Sequence, residues 1–431
     1  MSVPILRLAH VAMPRSLVAR GRVTSLSLLA LAPNDWAGQW MNRQQLLSRL
    51  GARHHTVLYS TGTWHIWDRG SLDWRRATVR GEFKKQDNVW VERAPRFMMR
   101  WPRFVTVDDL VVRLHARRLR RWIASQNKAP LVAQIFHPAF YPFVKHLRPE
   151  FLVYHAYDLF DHQPSWTSEL DRFERRLLSQ ADLAIASSDM IASVLSQRSG
   201  RPVRALLNAA DVRAFSWREH QGLSEPADLA NIPRPRIGYL GSLHAQINFG
   251  LIARLAELNP HWNFVFVGAK SPHADANTEA ELADCRRHSN VHFLGERTRH
   301  EVPGYALNMD VNIMCYRLDN ASWVNVAHPL KLHEYLASGR PIVSVPMPAL
   351  LSLSNVIRFA DTLDEWNRAI TEALVSGGCG TPEEREAIAR DNSWEARSEM
   401  LEHWLLELVN GTYADNNEHG RTVNRVRSDE L

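Results

Sequence analysis

The chain has 431 residues, of which 45% are hydrophobic and 23% are charged, and this composition excludes a disordered or fibrous protein. It is too long for one ordinary core, so we expect two folded domains. No apolar run reaches the length of a membrane span and the three cysteines make no CxxC pair, which excludes a membrane-spanning protein and a disulfide framework.

The charge is unevenly distributed along the chain. Residues 1–160 carry 25 Lys and Arg against 10 Asp and Glu, whereas the remaining residues carry 27 against 36, for a formal net charge of +6. A basic first half joined to an acidic second half indicates that the first half meets something anionic. Nucleic acid, a membrane surface and an acidic acceptor are the candidates.

The two ends of the chain are predicted to be disordered tails. Residues 1–22 are basic and contain no acid, but they lack the compact apolar core and cleavage site of a secretory signal. A transit peptide stays open as an alternative for this segment. Residues 411–431 are polar. Together with the widely spaced cysteines, these features predict a cytoplasmic protein.

The first half alternates between strand-like and helix-like segments. The predicted strands are residues 23–31, 55–60, 89–92, 131–136, 151–155 and 182–186, and the predicted helices are residues 41–50, 108–125, 167–179 and 190–197. Such alternation is typical of a parallel sheet with helices on both faces. Residues 216–235 are polar, contain three prolines and show no period, so we predict an interdomain linker there.

The second half restarts the alternation. The predicted strands are residues 236–240, 263–267, 291–294, 311–316 and 341–345, and the predicted helices are residues 248–258, 278–287, 300–307, 329–337 and 394–409. For the last helix we predict a cap at Asn392 or Ser393 and a buried face of Met400, Trp404, Leu405 and Leu408. The prediction is an α/β protein with two doubly wound, Rossmann-like domains. Their ligand crevice is expected at the carboxyl ends of the strands, between the domains.

A glycine turn follows the first strand of the second domain. Gly241 and Ser242 end the strand at 236–240, and a helix is predicted to begin a few residues later. Gly241 would let backbone amides approach a phosphate closely. An ordinary tight strand–helix turn is the alternative, because the full G-x-G-x-x-G fingerprint is absent.

A second segment combines several features of an anion site. It reads His328-Pro329-Leu330-Lys331-Leu-His-Glu334-Tyr-Leu-Ala-Ser-Gly-Arg-Pro-Ile-Val-Ser. Pro329 suits a helix start, and Lys331 in the first turn makes most sense opposite a bound anion. Glu334 lies on the same side, one turn later, where it could accept hydrogen bonds from ribose hydroxyls. A surface helix with solvated Lys331 and Glu334 is the alternative.

This segment resembles the signature helix of GT-B glycosyltransferases of the family-4 kind. Further matching segments follow in the same order as in that family: residues 181–188, 208–211, 237–243, 260–268, 291–295, 310–316 and 393–394. The resemblance covers roughly residues 24–410. It implies a glycosyltransferase that moves a sugar from a nucleotide-sugar donor, UDP- or GDP-linked, to a carbohydrate or polyprenyl-linked acceptor in exopolysaccharide or cell-envelope synthesis.

The resemblance also implies where each substrate binds. Residues 23–215 would bind the acceptor and residues 236–393 the donor, and the last helix would cross back to the first domain. Gly241 and Ser242 would face the diphosphate, Arg297 would border the base, Lys331 would hold phosphate and Glu334 the ribose. The donor-binding segment also includes His328 and Leu330. No cofactor and no metal are expected, and the sequence contains no D-x-D triplet.

Two positions depart from the family pattern. Ser242, Gln246 and Asn248 stand where many family-4 enzymes have Arg and Lys, and Val326 stands where many have a second Glu. Diphosphate binding would therefore depend more on Lys331, and the stereochemical outcome of transfer stays open.

The candidates for catalysis follow two strands of the first domain. His137 and Asp158 both lie just past predicted strand ends, where a general base could deprotonate the acceptor hydroxyl. The alternatives are that Asp158 caps a turn near Asp161 and that His137 donates to a donor phosphate or a backbone carbonyl. The loop after the first strand offers further contacts to the substrates in the cleft: Trp36, Gly38, Trp40 and Arg43. Anchoring of the following helix is the alternative for its aromatic residues.

A basic surface is predicted in the first domain. The helix at 108–125 places Val112, Ala116, Leu119 and Ile123 on one side and basic residues on the other. The residues predicted to face an anionic membrane are Arg100, Trp101, Arg113, Arg117, Arg120 and Arg121. The protein would then be peripheral at the inner face of the plasma membrane. A solvated outer face is the alternative, and no nucleic-acid-binding module is present.

Two other functions remain compatible with the sequence. One is a GT-B nucleotide-sugar epimerase, which would need several acids and bases in the crevice. The other is a GT-B protein that binds carbohydrate without catalysis. Donor turnover with and without acceptor would separate the three.

Overall fold

A computed structural model describes residues 22–38, 40–163, 165–220, 225–271, 276–318 and 328–411. Within these ranges, no helix combines the length and the apolar character needed to cross a membrane. The predicted tails, apart from Arg22 and Gly411, lie outside the described residues, as do Val326 and part of the predicted linker.

The described chain alternates strands and helices through both halves. The strands are β1 Ser27–Leu31, β2 Thr56–Ser60, β3 Trp64–His65, β4 Glu82–Gln86, β5 Val89–Arg93, β6 Met99–Arg100, β7 Leu131–Ile135, β8 Phe151–Ala156, β9 Leu183–Ala186, β10 Arg204–Ala205, β11 Arg236–Leu240, β12 Asn263–Val267, β13 Val291–Gly295, β14 Val311–Met314, β15 Ile342–Ser344 and β16 Arg358–Phe359. The helices are α1 Asn42–Ala52, α2 Leu72–Arg76, α3 Val105–Gln126, α4 Tyr141–Leu147, α5 Ser168–Gln180, α6 Asp189–Ser199, α7 Val212–Phe215, α8 Ala227–Ala230, α9 Phe249–Leu258, α10 Ala276–Cys285, α11 Val302–Leu307, α12 Lys331–Ala337, α13 Leu363–Ser376, α14 Pro382–Asp391 and α15 Trp394–Asn410.

The first half forms an eight-stranded sheet in the order β10-β9-β8-β7-β1-β2-β5-β4. All its pairings are parallel except that of β4 with β5. The central strands β1 and β7 are buried along their whole length, because helices cover both faces of a parallel sheet. The strand order reverses between β1 and β7, so the crevice of this domain opens where those two strands end.

The second half forms a six-stranded parallel sheet in the order β13-β12-β11-β14-β15-β16. Its strand order reverses between β11 and β14. The crevice of this domain therefore lies beyond Leu240 and Met314, where Gly241 and Tyr316 follow. The predicted α/β class with two doubly wound sheets is confirmed.

The last helix packs against the first domain. Ser393 caps α15 by accepting a hydrogen bond from the backbone N–H of Ala396 at 3.2 Å. The buried residues Trp394, Leu401, Leu405 and Leu408 of α15 join a core cluster with side chains of β1, β2 and α1. The prediction that Met400 is buried was wrong: Met400 is 37% exposed, and Leu401 occupies the buried position.

The pattern of apolar residues located the central strands within a few residues, but it missed other elements. The helices α4, α13 and α14 had not been predicted, nor had the antiparallel hairpin of β4 and β5. Residues 216–235 contain the short helix α8. Helix α12 begins at Lys331 rather than at Pro329, and α3 begins at Val105, three residues before its predicted start.

Candidate functional site

Lys331 lies in an aromatic cage at the crevice of the second sheet. Its Nζ donates hydrogen bonds to the phenol oxygens of Tyr239, at 2.6 Å, and Tyr316, at 2.7 Å. Nζ also lies 4.0 Å from the centre of the Tyr239 ring. No carboxylate of the described chain comes within 4.0 Å of Nζ. Two phenols from β11 and from just past β14 therefore hold an ammonium group at the point where the strand order reverses.

The turn that follows β11 passes directly over Lys331. Gly241 has a left-handed φ of +133°. A Cβ there would lie 3.1 Å from the Nζ and 3.3 Å from the Cε of Lys331. Gly268, at the end of β12, packs so closely that a Cβ would lie 2.0 Å from the carbonyl oxygen of Gly241. Only glycine permits this stacking of two turns above the lysine.

Burial shifts the pKa values of both charged residues on α12 towards neutrality. It lowers the pKa of Lys331 to about 7, although Cys315 and Glu334 oppose the shift. It raises the pKa of Glu334 to about 7, against the effect of Lys331 and with a contribution from Asp211. Both side chains retain partial exposure to solvent. The crevice thus holds two groups that change charge near physiological pH.

A pocket adjoins the lysine cage. It has a volume of about 350 Å³, and its wall includes Tyr316, Asn248, Arg317, Asp361 and Trp366. His244 stacks on Tyr316, with ring centres 6.1 Å apart. Burial and the charge of Lys331 lower the pKa of His244 to about 4, so this imidazole is neutral at pH 7. The volume is in the range of small-ligand pockets.

The residues before α12 contact the first domain. The backbone carbonyl of His328 accepts a hydrogen bond from Asn208 Nδ2 at 2.7 Å. The imidazole of His328 stacks on that of His333, with centres 5.2 Å apart, and burial lowers the pKa of His328 to about 4. Leu330 packs against the core cluster that α15 shares with the first sheet. These side chains therefore fix the position of α12 relative to the first domain.

Arg297 is held in place by neighbouring side chains. Its Nε donates to the phenol oxygen of Tyr305 at 2.7 Å, and its Nη2 pairs with the carboxylate of Asp228 on α8. Ser242 contributes its backbone carbonyl, which accepts a hydrogen bond from Tyr239 at 3.3 Å. Ser242 thus lies beside the lysine cage, whereas Arg297 is part of an ion pair with the segment between the domains.

His137 lies at the crevice of the first sheet, just past β7. Its Nδ1 accepts a hydrogen bond from the backbone N–H of Ala139 at 3.1 Å. Burial and the charge of Arg43 lower the pKa of His137 to about 4, so the ring is neutral. Because Nδ1 accepts, the proton of the neutral ring is on Nε2. The geometry makes Nε2 of His137 a hydrogen-bond donor rather than a base.

Asp158 follows β8 and is held by local contacts. One carboxylate oxygen accepts from the backbone N–H of Leu159, at 2.9 Å, and the other from Gln163 Nε2, also at 2.9 Å. These contacts fix the orientation of the carboxylate. A carboxylate oxygen accepts hydrogen bonds and can take up a proton.

The loop after β1 contributes two tryptophans that differ in exposure. Trp36 is 1% exposed, donates from Nε1 to Asp87 at 3.1 Å and packs edge-on to Tyr59 and Trp40. Trp40 is half-buried. Gly38 closes a turn by donating to the carbonyl of Asp35 at 3.3 Å. Trp36 therefore anchors the loop, and Trp40 keeps part of its surface at the cleft.

A contact between the two domains had not been predicted. Asp87 and Asn88 form the two-residue turn of the β4–β5 hairpin with left-handed φ values of +45° and +67°. Asp87 accepts a hydrogen bond from Arg299 Nη2 at 3.0 Å, and the guanidinium carbon of Arg299 lies 3.7 Å from the centre of the Trp40 ring. The hairpin tip and the loop after β1 thus hold the same arginine of the second domain.

The basic surface of α3 differs in part from its prediction. Val112, Ala116, Leu119 and Ile123 are buried, as expected. The prediction needs correction at two arginines. Arg100 forms a bidentate pair with Asp108, and Arg120 donates to the carbonyl of Leu147. The exposed members are Trp101, Arg113, Arg117 and Arg121.

Exposed apolar side chains accompany these arginines. Ten of the sixteen large exposed apolar residues of the described chain fall between residues 67 and 114. They are Trp67, Leu72, Val79, Phe97, Trp101, Phe104, Val105, Val107, Leu110 and Leu114. Exposed arginines of the same segment are Arg69, Arg75, Arg76, Arg80, Arg103 and Arg113. We call these two sets together the basic–apolar surface.

Sequence reasoning missed the residues that surround its own candidates. Tyr239 and Tyr316 end the two strands at which the strand order reverses, and that position was a signal that could have identified them. The Asp87-Asn88 pair is a hairpin-turn signal between two strand-like segments. Arg299 has no such signal, because its partners lie about two hundred residues away in the sequence.

Comparisons with known proteins agree with this architecture. Residues 234–374 match the family model described as Glycosyl transferases group 1. A putative teichuronic acid biosynthesis glycosyltransferase of Bacillus subtilis, TuaH, is 26% identical over 229 residues, which are 51% of this chain and 56% of that protein. The chain thus spans about half the length of the curated relative that it matches. The resemblance drawn from the sequence is confirmed over these residues.

Solved structures show the same fold over nearly the whole chain. Sucrose-phosphate synthase from Thermosynechococcus elongatus is similar with a TM-score of 0.64 at 14% identity, over 89% of this chain and 99% of that one. HepE of Anabaena, solved in complex with UDP and glucose, is similar with a TM-score of 0.62 at 14% identity, over 88% of this chain and 99% of that one. The trehalose 6-phosphate synthase of Burkholderia multivorans is similar with a TM-score of 0.62 at 12% identity, over 92% of this chain and 99% of that one. These similarities confirm the GT-B fold.

Proposed function

We propose that this protein is a glycosyltransferase that moves a sugar from a nucleotide-sugar donor to a carbohydrate or lipid-linked acceptor. The observation that carries the proposal is Lys331, an ammonium group held by two phenols beneath the Gly241 turn, where the strand order of the second sheet reverses. A cation without a carboxylate partner at such a crevice suits a diphosphate. The names of the relatives support the same activity.

The donor is proposed to bind along the second sheet. Lys331 and the amides around Gly241 and Ser242 would contact the diphosphate, and Glu334 would accept hydrogen bonds from the ribose. The pocket beside Tyr316 offers space for part of the donor. HepE, which shares the fold, was solved with UDP, and this favours a UDP-linked donor as the first to test.

Catalysis is proposed to take place at the crevice of the first sheet. Asp158 would accept the proton of the acceptor hydroxyl as that hydroxyl attacks the anomeric carbon. His137 would donate a hydrogen bond from Nε2, because its Nδ1 already accepts from Ala139. Trp40 would contact the acceptor sugar through its exposed part. No step in this scheme requires a metal.

We further propose that the basic–apolar surface contacts an anionic membrane. Exposed tryptophan, phenylalanine and leucine side chains alternate there with arginines, which is the composition of interfacial segments. Each arginine near an anionic leaflet adds about 1 kcal/mol of attraction. A membrane-bound acceptor, such as a polyprenyl-linked sugar, would then reach the cleft from the same domain. The relative with a teichuronic acid name supports a role in cell-envelope glycans.

Nucleotide binding tests the donor site. The purified protein would be titrated by calorimetry with UDP, GDP, ADP and their sugar conjugates, without added metal. We expect selective binding of one nucleotide family. Lys331→Met should weaken that binding by about 10- to 100-fold, since a hydrogen bond to a charged group contributes about 1.5–3 kcal/mol. Lys145→Met, which changes an exposed lysine of α4, is the matched control and should bind as the wild type does.

Two results would count against the proposal. If the folded protein bound no nucleotide of the panel, the result would favour the alternative function, a protein that binds carbohydrate without catalysis. Interconversion of a nucleotide sugar in the absence of acceptor would indicate an epimerase. Release of free nucleotide that depends on an added glycan acceptor would support transfer.

A further inference from the structure

Arg43 is a buried cation in the first domain. It is the second residue of α1, which follows β1 at the place where the strand order of the first sheet reverses. Only 1% of its surface is exposed. Arginine cannot lose its proton in a protein, so the charge is present at every physiological pH.

The guanidinium group of Arg43 is only partly satisfied. Its Nη2 donates to Asn34 Oδ1, and its carbon lies 4.6 Å from the centre of the Tyr157 ring. Nε and Nη1 have no hydrogen-bond partner among the described residues. The other two described arginines that are less than 5% exposed have a carboxylate or several carbonyls: Arg236 pairs with Glu225, and Arg385 donates to four backbone carbonyls.

No carboxylate of the described residues forms an ion pair with Arg43, although Asp35 and Asp158 act on the neighbouring Tyr59 and Tyr157 from farther away. Burial and the charge of Arg43 lower the pKa of His137 to about 4 and that of His155 to about 3, so both rings are neutral at pH 7. Burial raises the pKa of Tyr157 to about 12, and it raises the pKa of Tyr59 as well, although the charge of Arg43 opposes both shifts and a hydrogen bond with Arg43 also opposes that of Tyr59. Both phenols are therefore protonated. A buried charge without a paired carboxylate is costly, and a bound anion would lower that cost.

We propose that Arg43 binds an anionic group, a phosphate or a carboxylate, carried by the acceptor. The unpartnered Nε and Nη1 each share an edge of the planar guanidinium with Nη2, which carries a second N–H besides the one donated to Asn34. Either edge presents two parallel N–H groups that suit the two oxygens of such a group. The acceptor is the favoured source because Arg43 lies at the crevice of the first sheet, near His137 and Tyr157, whereas Lys331 serves the donor at the other sheet. This assignment rests on the proposed function. An anionic sugar acceptor also matches the excess of basic residues in the first half of the chain.

The test compares two arginines of the same helix. Arg49, one and a half turns after Arg43, is paired with Glu395 at 2.8 Å. Melting temperatures would be measured for the wild type, Arg43→Met, Arg43→Lys and Arg49→Met in buffer without phosphate or carboxylate, and then with inorganic phosphate, glucuronate or glucose. We expect phosphate and glucuronate, but not glucose, to raise the melting temperature of the wild type.

Arg43→Met and Arg49→Met are expected to change the melting temperature in opposite directions. Arg43→Met should melt at or above the wild-type temperature without anion, since an unpaired buried charge is removed, and its affinity for phosphate and glucuronate should fall at least tenfold. Arg43→Lys, which keeps a charge, should retain part of the anion response. Arg49→Met should melt lower and keep the full response. A variant Arg43→Met that melts lower and keeps the anion response would overturn the proposal, as would a wild type that responds to neither anion.

UDP separates the two sources of the anion. If the acceptor supplies it, Arg43→Met should bind UDP as the wild type does, and phosphate should still bind to the wild-type protein saturated with UDP. Weakened UDP binding in Arg43→Met, together with loss of phosphate binding once UDP is present, would overturn the acceptor assignment and make Arg43 a donor contact. A wild type that binds anions at Arg43 but no nucleotide would contradict the proposed donor site and leave the anion site standing.

Discussion

The two crevices of this protein each bury one cation, but the two cations differ in kind. Lys331 is a titratable amine that donates hydrogen bonds to Tyr239 and Tyr316, and burial lowers its pKa to about 7. Arg43 is a guanidinium group in which two nitrogens have no hydrogen-bond partner in the part of the chain that the structure describes. The lysine can relieve the cost of burial by losing a proton, whereas the arginine keeps its charge.

This difference suggests different tasks for the two crevices. A titratable cation can bind a diphosphate when it is protonated and release it when the proton leaves, which suits a substrate that is exchanged in every cycle. A permanent, partly unpaired cation suits recognition of a fixed anionic group. Asp158 and His137 lie at the crevice of the permanent cation. The chemistry is thus expected beside Arg43 and the donor binding beside Lys331.

The largest effect should come from Asp158→Asn. Loss of a general base lowers the rate of transfer by about 10²- to 10⁴-fold, and the amide keeps the shape of the carboxylate and one of the two acceptor positions that Leu159 and Gln163 use. Because Asp158 lies at the first sheet, calorimetric binding of UDP should be unchanged. Steady-state kinetics with a donor and an acceptor measures the loss. Asp171→Asn, at a half-buried aspartate of α5 that pairs with Arg175, is the matched control, and unchanged turnover in Asp158→Asn would remove Asp158 as the base.

The second-largest effect is expected at the crevice of the second sheet, where Glu334 is proposed to bind the ribose of the donor. Glu334→Ala should weaken UDP binding by about 10-fold or more, because hydrogen bonds to a charged group contribute about 1.5–3 kcal/mol. The sharper measurement is selectivity: the wild type should prefer UDP to 2′-deoxy-UDP, and Glu334→Ala should bind the two alike. A variant that keeps the preference would show that another group recognises the ribose hydroxyls.

The third effect distinguishes the two cations by pH. The pKa of Lys331 is about 7, so Lys331 is charged below pH 7 and becomes neutral as the pH rises. Glu334, whose pKa is also about 7, gains negative charge over the same range, which repels the diphosphate but strengthens its acceptance of ribose hydrogen bonds, so the loss of the Lys331 charge sets the trend. UDP affinity should therefore fall between pH 7 and pH 9, by up to about tenfold per unit for one proton taken up on binding.

The binding of glucuronate provides the contrast. A sugar carboxylate is ionised throughout this range and a guanidinium group keeps its charge, so the affinity for glucuronate should stay constant from pH 7 to pH 9. Calorimetry in buffers of different ionisation enthalpy would count the protons taken up with UDP. In Lys331→Met the pH dependence of UDP binding should become shallower. A pH dependence that is equally steep in this variant would show that other groups couple proton uptake to donor binding.

The sequence predicted the core of the fold well and the details of the site less well. Strands such as β11 and β12 were located to the residue, because buried strands in parallel sheets are continuous apolar segments bounded by turns. The signature segment predicted that Lys331 and Glu334 share one side of a helix. It could not predict the phenol cage, since Tyr239 and Tyr316 reach Lys331 only once the two strands are placed side by side.

Elements at the edges of the fold were the least predictable. Strand β4 reads Glu-Phe-Lys-Lys-Gln, a polar segment that pairs at the sheet edge and needs little apolar surface. Arg100 was predicted to face outward because a basic segment surrounds it. In the fold it meets Asp108, eight residues later, on the first turns of α3. Such pairings depend on the angle between two elements, and a periodic pattern does not contain that angle.

The smallest effect is expected from the contact that joins the two domains. Asp87→Ala removes the ion pair with Arg299, whose side chain is 40% exposed, and the hydrogen bond from Trp36. An exposed ion pair contributes at most about 1 kcal/mol, so the Michaelis constant for the acceptor should rise by no more than about fivefold, with little change in the affinity for UDP. The effect should shrink at high salt, since salt screens exposed charges.

The same hairpin supplies the control for this contact. Glu82→Ala removes a carboxylate of β4 whose partner, Arg93, belongs to the same hairpin, so it leaves the contact between the domains intact. If Glu82→Ala raised the Michaelis constant as much as Asp87→Ala does, the hairpin would act through its own stability rather than through Arg299. A selective effect of Asp87→Ala would mean that the second domain, through Arg299, helps to hold the loop that carries Trp40 at the crevice of Arg43.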